Sequence, residues 1–216
     1  MDLTSYLLGK KASGGGGGGG GAEDYFVSTL DSSQVIKAIK RLPAIKITWT
    51  GSFSNVFNAC TNLEKVDELD ISSVTSITDL FVGCTNLQSV KLITGSSLTT
   101  ANRAFQSCSN LIEIAQFDTS NITNFNYLCS GCSKLENMPQ LDFSKAEYLS
   151  NVFQSCDALT DESLDNILGS CISATSYTGT KDLATLGFSR YKTPASTIQG
   201  LSNYQAFLDA GWTIGY

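Results

Sequence analysis

Cysteine is the residue type in this sequence best suited to redox or metal chemistry, and five of its seven cysteines recur at one spacing. Each lies 24 residues after the one before: Cys60, Cys84, Cys108, Cys132 and Cys156. The one C-x-x-C motif, Cys129 to Cys132, is half of a zinc or redox site. No histidine and no second C-x-x-C motif accompany it. We therefore predict that the thiols are free and buried, and that Cys129 fills a packing position.

Carboxylates are the other residues that could take part in catalysis. They are grouped at Asp67, Glu68 and Asp70, and again at Asp161, Glu162 and Asp165. A glycosidase would need such a pair to flank a cleft, whereas a solvated face or a helix start needs only the charges. Without histidine, the usual general base for serine or cysteine catalysis is missing. We predict that the protein is not an enzyme, with no catalytic residues and no cofactor.

Three aspartates share one position of the 24-residue repeat, each followed two residues later by serine: Asp70, Asp118 and Asp142. Short side chains of this kind bond nearby backbone N–H groups in turns. Stacked carboxylates would alternatively suit calcium, although Thr94 interrupts the series and one oxygen from each repeat is few for this cation. The turn is the preferred interpretation, and no metal site is predicted.

The repeat also includes a leucine three residues after each cysteine. Together with the five spaced cysteines, these leucines form the predicted structural ladder: Leu63, Leu87, Leu111, Leu135 and Leu159. One repeat has too few apolar residues for a core of its own, so it must bury them against its neighbours. The predicted fold is an α/β solenoid in which successive repeats stack about 4.8 Å apart. Its short parallel strands are expected at 65–70, 89–93, 113–117 and 137–142.

The pattern F-x-x-C-x-x-L, seen at residues 81–87 and 105–111, resembles the BspA-like leucine-rich repeats of bacterial surface proteins. Residues 118–124, Asp-Thr-Ser-Asn-Ile-Thr-Asn, are similar to a DTSNVTN segment common in that family. The resemblance covers about half of the chain directly and implies a leucine-rich repeat fold. For function it implies an adhesive scaffold, because such repeats serve many different ligands.

Polar side chains that flank the predicted strands would face outward from the sheet. The candidate ligand face consists of Lys65, Asp67, Glu68, Ser89, Lys91, Glu113, Gln116, Asn137 and Gln140. Neighbouring repeats would place these side chains in an ordered grid, which is how solenoid proteins present a broad binding surface. The alternative that they only keep the sheet soluble stays open. The face carries mixed charge and no aromatic ring, so a groove for a hydrophobic peptide is not predicted.

The N-terminal segment differs from the repeats and is predicted to dock on a partner. Residues 1–13 form a docking peptide with apolar side chains at Leu3, Tyr6, Leu7 and Leu8, and residues 14–22 form a polyglycine linker. A disordered tail is the alternative. The start LTSYLLGKKASGGGG resembles the N-termini of small tail- or head-associated proteins of bacteriophages and prophages. That resemblance implies a virion-docking role for the four apolar residues.

The remaining segments are predicted to close the two ends of the stack. Residues 23–56 form an N-terminal cap and a degenerate first repeat, with a helix at 31–42 and a strand at 44–50. The leucine-rich repeats occupy 57–159, and residues 160–216 form a C-terminal α/β cap. That cap is expected to hold helices from 160 and from 204 and strands at 183–188 and 212–216. Its ending also resembles those of phage-encoded leucine-rich proteins, where a helix leads into a GWT strand.

Composition limits the partners. The net charge of −6 leaves no basic stripe, so nucleic-acid binding is not predicted. No stretch approaches the roughly 18 apolar residues that span a bilayer, and residues 1–13 lack the order of a signal peptide.

The resemblances imply a virion protein made in the host cytoplasm. Its partners would be tail or capsid proteins and a host-surface glycan or protein, and homo-oligomers remain open. The alternatives are a bacterial surface adhesin and a decoration protein without a host-binding role.

Overall fold

A computed structural model describes residues 37–46, 51–188 and 195–215 of the chain. Within them no helix is long and apolar enough to cross a membrane. The predicted docking residues Leu3, Tyr6, Leu7 and Leu8 and the glycine linker lie outside the described residues.

A parallel sheet runs through the repeats in the order β1-β4-β6-β7, with β2 also paired to β4. A second pair joins β3 to β5. The strands are β1 (Arg41–Leu42), β2 (Ile45–Lys46), β3 (Gly51–Ser52), β4 (Lys65–Asp70), β5 (Val74–Ser76), β6 (Ser89–Ile93) and β7 (Glu113–Ile114). Lys65 pairs with Arg41 on one side and with Ser89 on the other, each 24 residues away. The predictions for β4 and β6 are confirmed to the residue.

A second line of hydrogen bonds joins the return segments, which we define as residues 52–60, 76–84, 100–108, 124–132 and 148–156. The N–H of Phe81 donates to the carbonyl of Ala104 (2.8 Å), and that of Phe105 donates to the carbonyl of Leu128 (2.9 Å). Single parallel bridges join Thr100 to Asn124 and Asn124 to Tyr148. Each 24-residue unit is therefore bonded to the next along both of its sides.

Between the sheet and the return segments lies a continuous apolar core. All seven cysteines are free and buried. The Cys108 thiol donates to the Phe81 carbonyl and the Cys132 thiol to the Phe105 carbonyl, both at 3.1 Å. The Phe81 ring stacks on Phe105 with centroids 5.7 Å apart. A thiol suits this position because it is small and apolar yet still donates to a buried carbonyl.

We expect the fold to lose stability at alkaline pH because of these thiols. Burial raises the pKa of the Cys60 thiol to about 11 and that of Cys84 to about 12. A thiol in the unfolded chain ionises near 8.5. Above that pH the unfolded state loses protons that the folded state keeps, so stability present at neutral pH falls by up to about 1.4 kcal/mol per pH unit for each thiol. Urea unfolding between pH 7.5 and 10.5 measures the slope. The double variant Cys60→Ala/Cys84→Ala should show a shallower slope, and an equal slope would contradict this account.

Three predictions near the ends of the sheet are wrong. The helix expected at 31–42 does not reach Leu42, because Arg41 and Leu42 form β1 and pair with β4; residues 31–36 lie outside the described residues. The strand expected at 113–117 is limited to β7, and that at 137–142 is reduced to a bridge between Glu113 and Asn137. Pro139 lacks the N–H that a ladder would need there.

A helix supplies hydrogen-bond partners to the segment 137–142, where a strand was expected. The C-terminal region contains α1 (Asp161–Ser173), α2 (Ala195–Gln199) and α3 (Tyr204–Asp209). Backbone N–H groups of Met138, Leu141 and Phe143 donate to serine hydroxyls of α1 at 2.7–2.9 Å. These serines, with Asn166, lie on one side of α1 at positions 163, 166, 170 and 173, the spacing of a helical face. The helix thus covers the sheet edge with hydroxyl groups.

The rest of the C-terminal region is held by side chains. Leu164, Ile167, Leu168 and Cys171 of α1 are buried as predicted. The strands expected at 183–188 and 212–216 do not form: within the described residues they are reduced to a bridge between Asp182 and Thr213. Trp212 instead stacks on Tyr177 at 5.8 Å and on Phe207 at 6.0 Å. Aromatic packing replaces ladder pairing there, and α2 was not predicted.

Candidate binding surface

The nine residues of the candidate ligand face lie together on one side of the sheet, which we call the sheet face. None of their side chains is buried. Lys65, Ser89 and Glu113 are neighbours across β4, β6 and β7, and Asn137 continues this column through its bridge to Glu113. The register of the strands therefore sets the spacing of the polar groups across the face.

Charges on the β4 side of the sheet face are paired with one another. Asp67 accepts from Arg41 Nε at 2.7 Å and lies 3.6 Å from Lys65 Nζ. Its hydrogen bond with Arg41 is the main cause that holds the pKa of its carboxyl below the usual value. Lys91 Nζ lies 2.6 Å from Glu68 Oε2. Such exposed pairs contribute little stability, but they leave this part of the face nearly neutral.

The other side of the sheet face carries amides. The Gln116 side chain donates to the backbone carbonyl of Gln140 at 3.1 Å. Gln140 itself lies against α1, where a Cβ on Gly169 would come within 2.9 Å of its side-chain carbon. Glycine within a helix costs about 0.5–1 kcal/mol relative to alanine. With an alanine at position 169 the end of the exposed Gln140 side chain would have to move aside.

Beside these amides the sheet face opens into a cleft of about 590 Å³. Its volume is in the range of small-ligand sites. Eight of its ten lining residues have polar side chains; the lining consists of Gln116, Phe117, Asp118, Thr119, Ser120, Gln140, Leu141, Asp142, Ser144 and Ser173. Two successive repeats and the last turn of α1 thus contribute to one concave site.

The two aspartates of the cleft have the turn role that the sequence predicts. Asp118 accepts from the backbone N–H of Ser120 at 2.9 Å and from its hydroxyl at 2.6 Å. Asp142 accepts from the N–H of Ser144 at 2.8 Å. The Ser120 hydroxyl, followed by its N–H, holds the pKa of the Asp118 carboxyl below its usual range. Asp118 therefore stays ionised near neutral pH and presents a fixed acceptor to the cleft.

Among the described residues, the C-x-x-C cysteines lack the geometry of a redox or metal site. Cys129 and Cys132 are both fully buried. The Cys156 thiol donates to the Cys129 carbonyl at 3.1 Å, as other cysteines donate to phenylalanine carbonyls, so Cys129 takes the position of phenylalanine as predicted. No cluster of three or more Cys, Asp or Glu side chains that could hold a metal ion occurs in the part of the chain that the structure describes.

Comparison with known proteins identifies the family. Residues 51–167 match the model of a family described as Mycoplasma protein of unknown function, DUF285, and this match spans more than half of the chain. The chain belongs to the DUF285 family. It is a family of BspA-like repeats, in agreement with the resemblance seen in the sequence. The DUF285 region contains the whole sheet face and the first half of α1. Neither a curated protein nor a solved structure matches the chain.

Sequence reasoning found Gln116 and Gln140 but not the cleft beside them. Thr119, Ser120, Ser144 and Ser173 were not among the candidate residues, although they line it. A signal for the first three exists in the repeated Asp-x-Ser motif, which follows two residues after each glutamine. Ser173 carries no such signal, because only the docking of α1 brings it to the cleft.

Proposed function

We propose that this DUF285 protein is a non-enzymatic binding module, built as a BspA-like leucine-rich repeat solenoid. Its ligand would be a glycan or protein on the surface of a host cell. The observation that carries the proposal is the continuity of the sheet face with the cleft, since Gln116 and Gln140 belong to both. A grid of exposed polar groups that ends in a concavity offers both area and an anchoring point to a ligand.

The chemistry of the site favours a polar ligand with little net charge. Asp67 and Glu68 are engaged by Arg41 and Lys91, so the β4 side of the sheet face is nearly neutral. The cleft offers the acceptors Asp118 and Asp142 and the amide of Gln116. Hydroxyl groups of a sugar, or of a protein loop rich in serine and threonine, donate to such carboxylates and exchange hydrogen bonds with such amides.

The protein would be part of a phage or prophage particle. Its N-terminal residues, including Leu3, Tyr6, Leu7 and Leu8, would attach to tail or capsid proteins, and residues 14–22 would act as a tether. This part of the proposal depends on the resemblance of both termini to phage proteins. The alternatives are a bacterial surface adhesin and a decoration protein that binds no host. Removal of residues 1–21 should abolish incorporation into particles, and unchanged incorporation would rule out this docking role.

Binding to a glycan array and to host cells tests the role of the sheet face. The double variant Gln116→Ala/Gln140→Ala should bind its targets at least about 10-fold more weakly, a loss of roughly 1.4 kcal/mol. Thr175→Ala changes an exposed residue outside the face and is the matched control. Equal binding of wild type and double variant to host cells and to every glycan on the array would refute the proposal. Release of reducing sugar from a bound glycan would show an enzyme instead of a binding module.

A further inference from the structure

A left-handed backbone conformation recurs at two positions of every return segment, and residues of different types occupy the first of them. The residues are Asn55, Asp79, Arg103, Tyr127 and Asn151, with φ values of 64°, 58°, 55°, 56° and 54°. Glycine adopts this conformation freely, and asparagine and aspartate tolerate it because their short side chains bond locally. Three of the five positions follow this rule, whereas Arg103 and Tyr127 do not.

Arg103 has a structural explanation. Its guanidinium forms two hydrogen bonds with Asp79, the equivalent residue of the preceding repeat, at 2.7 and 2.9 Å. The Tyr127 side chain has no hydrogen bond and no ring stacking among the described residues, and it is partly exposed. The turn of the repeat imposes this backbone conformation on every return segment, but a partly exposed ring without a partner is available to a ligand.

A more exposed tyrosine lies on the next return segment. Tyr148 is 52% exposed, the larger value of the two exposed large hydrophobic residues among those described. It is bridged to Asn124, whose side-chain oxygen accepts from the N–H of Asn126 at 3.0 Å. The side-chain oxygen of Asn126 in turn accepts from Ser150 at 2.7 Å. Both amide oxygens are thus held by the backbone, which orients the two NH₂ groups as donors.

We propose that Tyr127, Tyr148, Asn124 and Asn126 form a second binding surface, the tyrosine strip, for the pyranose rings of a neutral saccharide. The C–H groups on one side of a pyranose form an apolar surface that packs on an aromatic ring, and its hydroxyls bond to amides at the ring's edge. The exposed Glu147 beside Tyr148 disfavours an acidic saccharide. The strip lies on the return segments, so it is separate from the sheet face.

Affinity electrophoresis of the full chain in gels that contain mannan, β-glucan or galactan tests the strip. At least one of these polysaccharides should retard the protein, and Tyr148→Ala should weaken binding at least about 10-fold. Tyr127→Asn should also weaken binding while it leaves the urea midpoint unchanged or raised, because asparagine relieves the strain. Ile112→Ala, the other exposed large hydrophobic position, is the control and should bind normally.

The double variant Gln116→Ala/Gln140→Ala separates this proposal from the sheet face, since it should be retarded like the wild type. The strip is refuted if none of the three polysaccharides retards the protein, or if either tyrosine variant is retarded as strongly as the wild type. Sedimentation of the same variants tests the other possible occupant of the strip, a second copy of the chain. A wild-type dimer that Tyr148→Ala converts to monomer would show that the strip contacts a second copy of the chain, and would overturn the saccharide assignment.

Discussion

Replacement of Phe105 by alanine is expected to lower the free energy of unfolding by about 3–5 kcal/mol. The ring is fully buried near the middle of the stack and lies parallel to Phe81, with 9° between the planes. Neighbours on both sides are held by hydrogen bonds between repeats, including the Cys132 thiol bond to the Phe105 carbonyl. The cavity therefore cannot collapse easily. Urea unfolding followed by far-UV circular dichroism and by tryptophan fluorescence measures the loss.

Ile112→Ala is the control for this variant, because Ile112 lies in the same repeat but is 39% exposed. Its effect should stay within about 0.5 kcal/mol, as for most surface substitutions. Since each repeat buries its apolar side against its neighbours, both probes should report the Phe105→Ala loss. A Phe105→Ala effect as small as that of Ile112→Ala would mean that the ring column does not support the stack.

Ser170→Ala is expected to lower the free energy of unfolding by about 1–3 kcal/mol and to loosen α1 from the sheet edge. The Ser170 hydroxyl is fully buried, donates to the Asn166 carbonyl and accepts from the Leu141 N–H, both at 2.8 Å. Alanine would leave that N–H buried without an acceptor. Hydrogen exchange of the peptide that covers residues 138–143 should become faster, and mass spectrometry measures it.

Ser176→Ala is the control for Ser170→Ala, because this serine is exposed just beyond the end of α1. It should change neither the free energy of unfolding by more than about 0.5 kcal/mol nor the exchange of residues 138–143. If Ser170→Ala leaves the exchange of Leu141 unchanged, water replaces the hydroxyl and the helix is not needed to cover the edge.

The 24-residue spacing predicted which side chains meet, because equivalent positions in stacked units are neighbours. Val66 and Leu69 of β4 are buried in the core. They pair with Leu42 and Ile45 of the preceding repeat, each 24 residues earlier. The outward positions between them include Asp67 and Glu68 of the sheet face. The prediction of β4 and β6 came from the repeated L-x-x-V-x-x-[LI] segment, in which apolar residues are three apart.

Elements at the ends of the stack could not be predicted in this way. Residues 41–42 read as the end of a helix, yet pairing with Lys65 and Val66 makes them a strand. The segment 137–142 has the apolar pattern of a strand, but the serines of α1 bind its backbone instead. Both outcomes depend on which distant segment accepts or donates the hydrogen bonds. The local sequence of residues 41–42 or 137–142 does not identify that segment.

The sequence by itself determined the period, the buried positions, the free thiols and the outward polar residues of the sheet. These properties repeat in every unit, so each is specified several times by the order of residue types. Tertiary structure alone decided the cleft, where Ser173 of α1 meets two repeats, and the exposure of Tyr148. Such features occur once and arise from contacts between distant segments, so no repeated pattern in the chain encodes them.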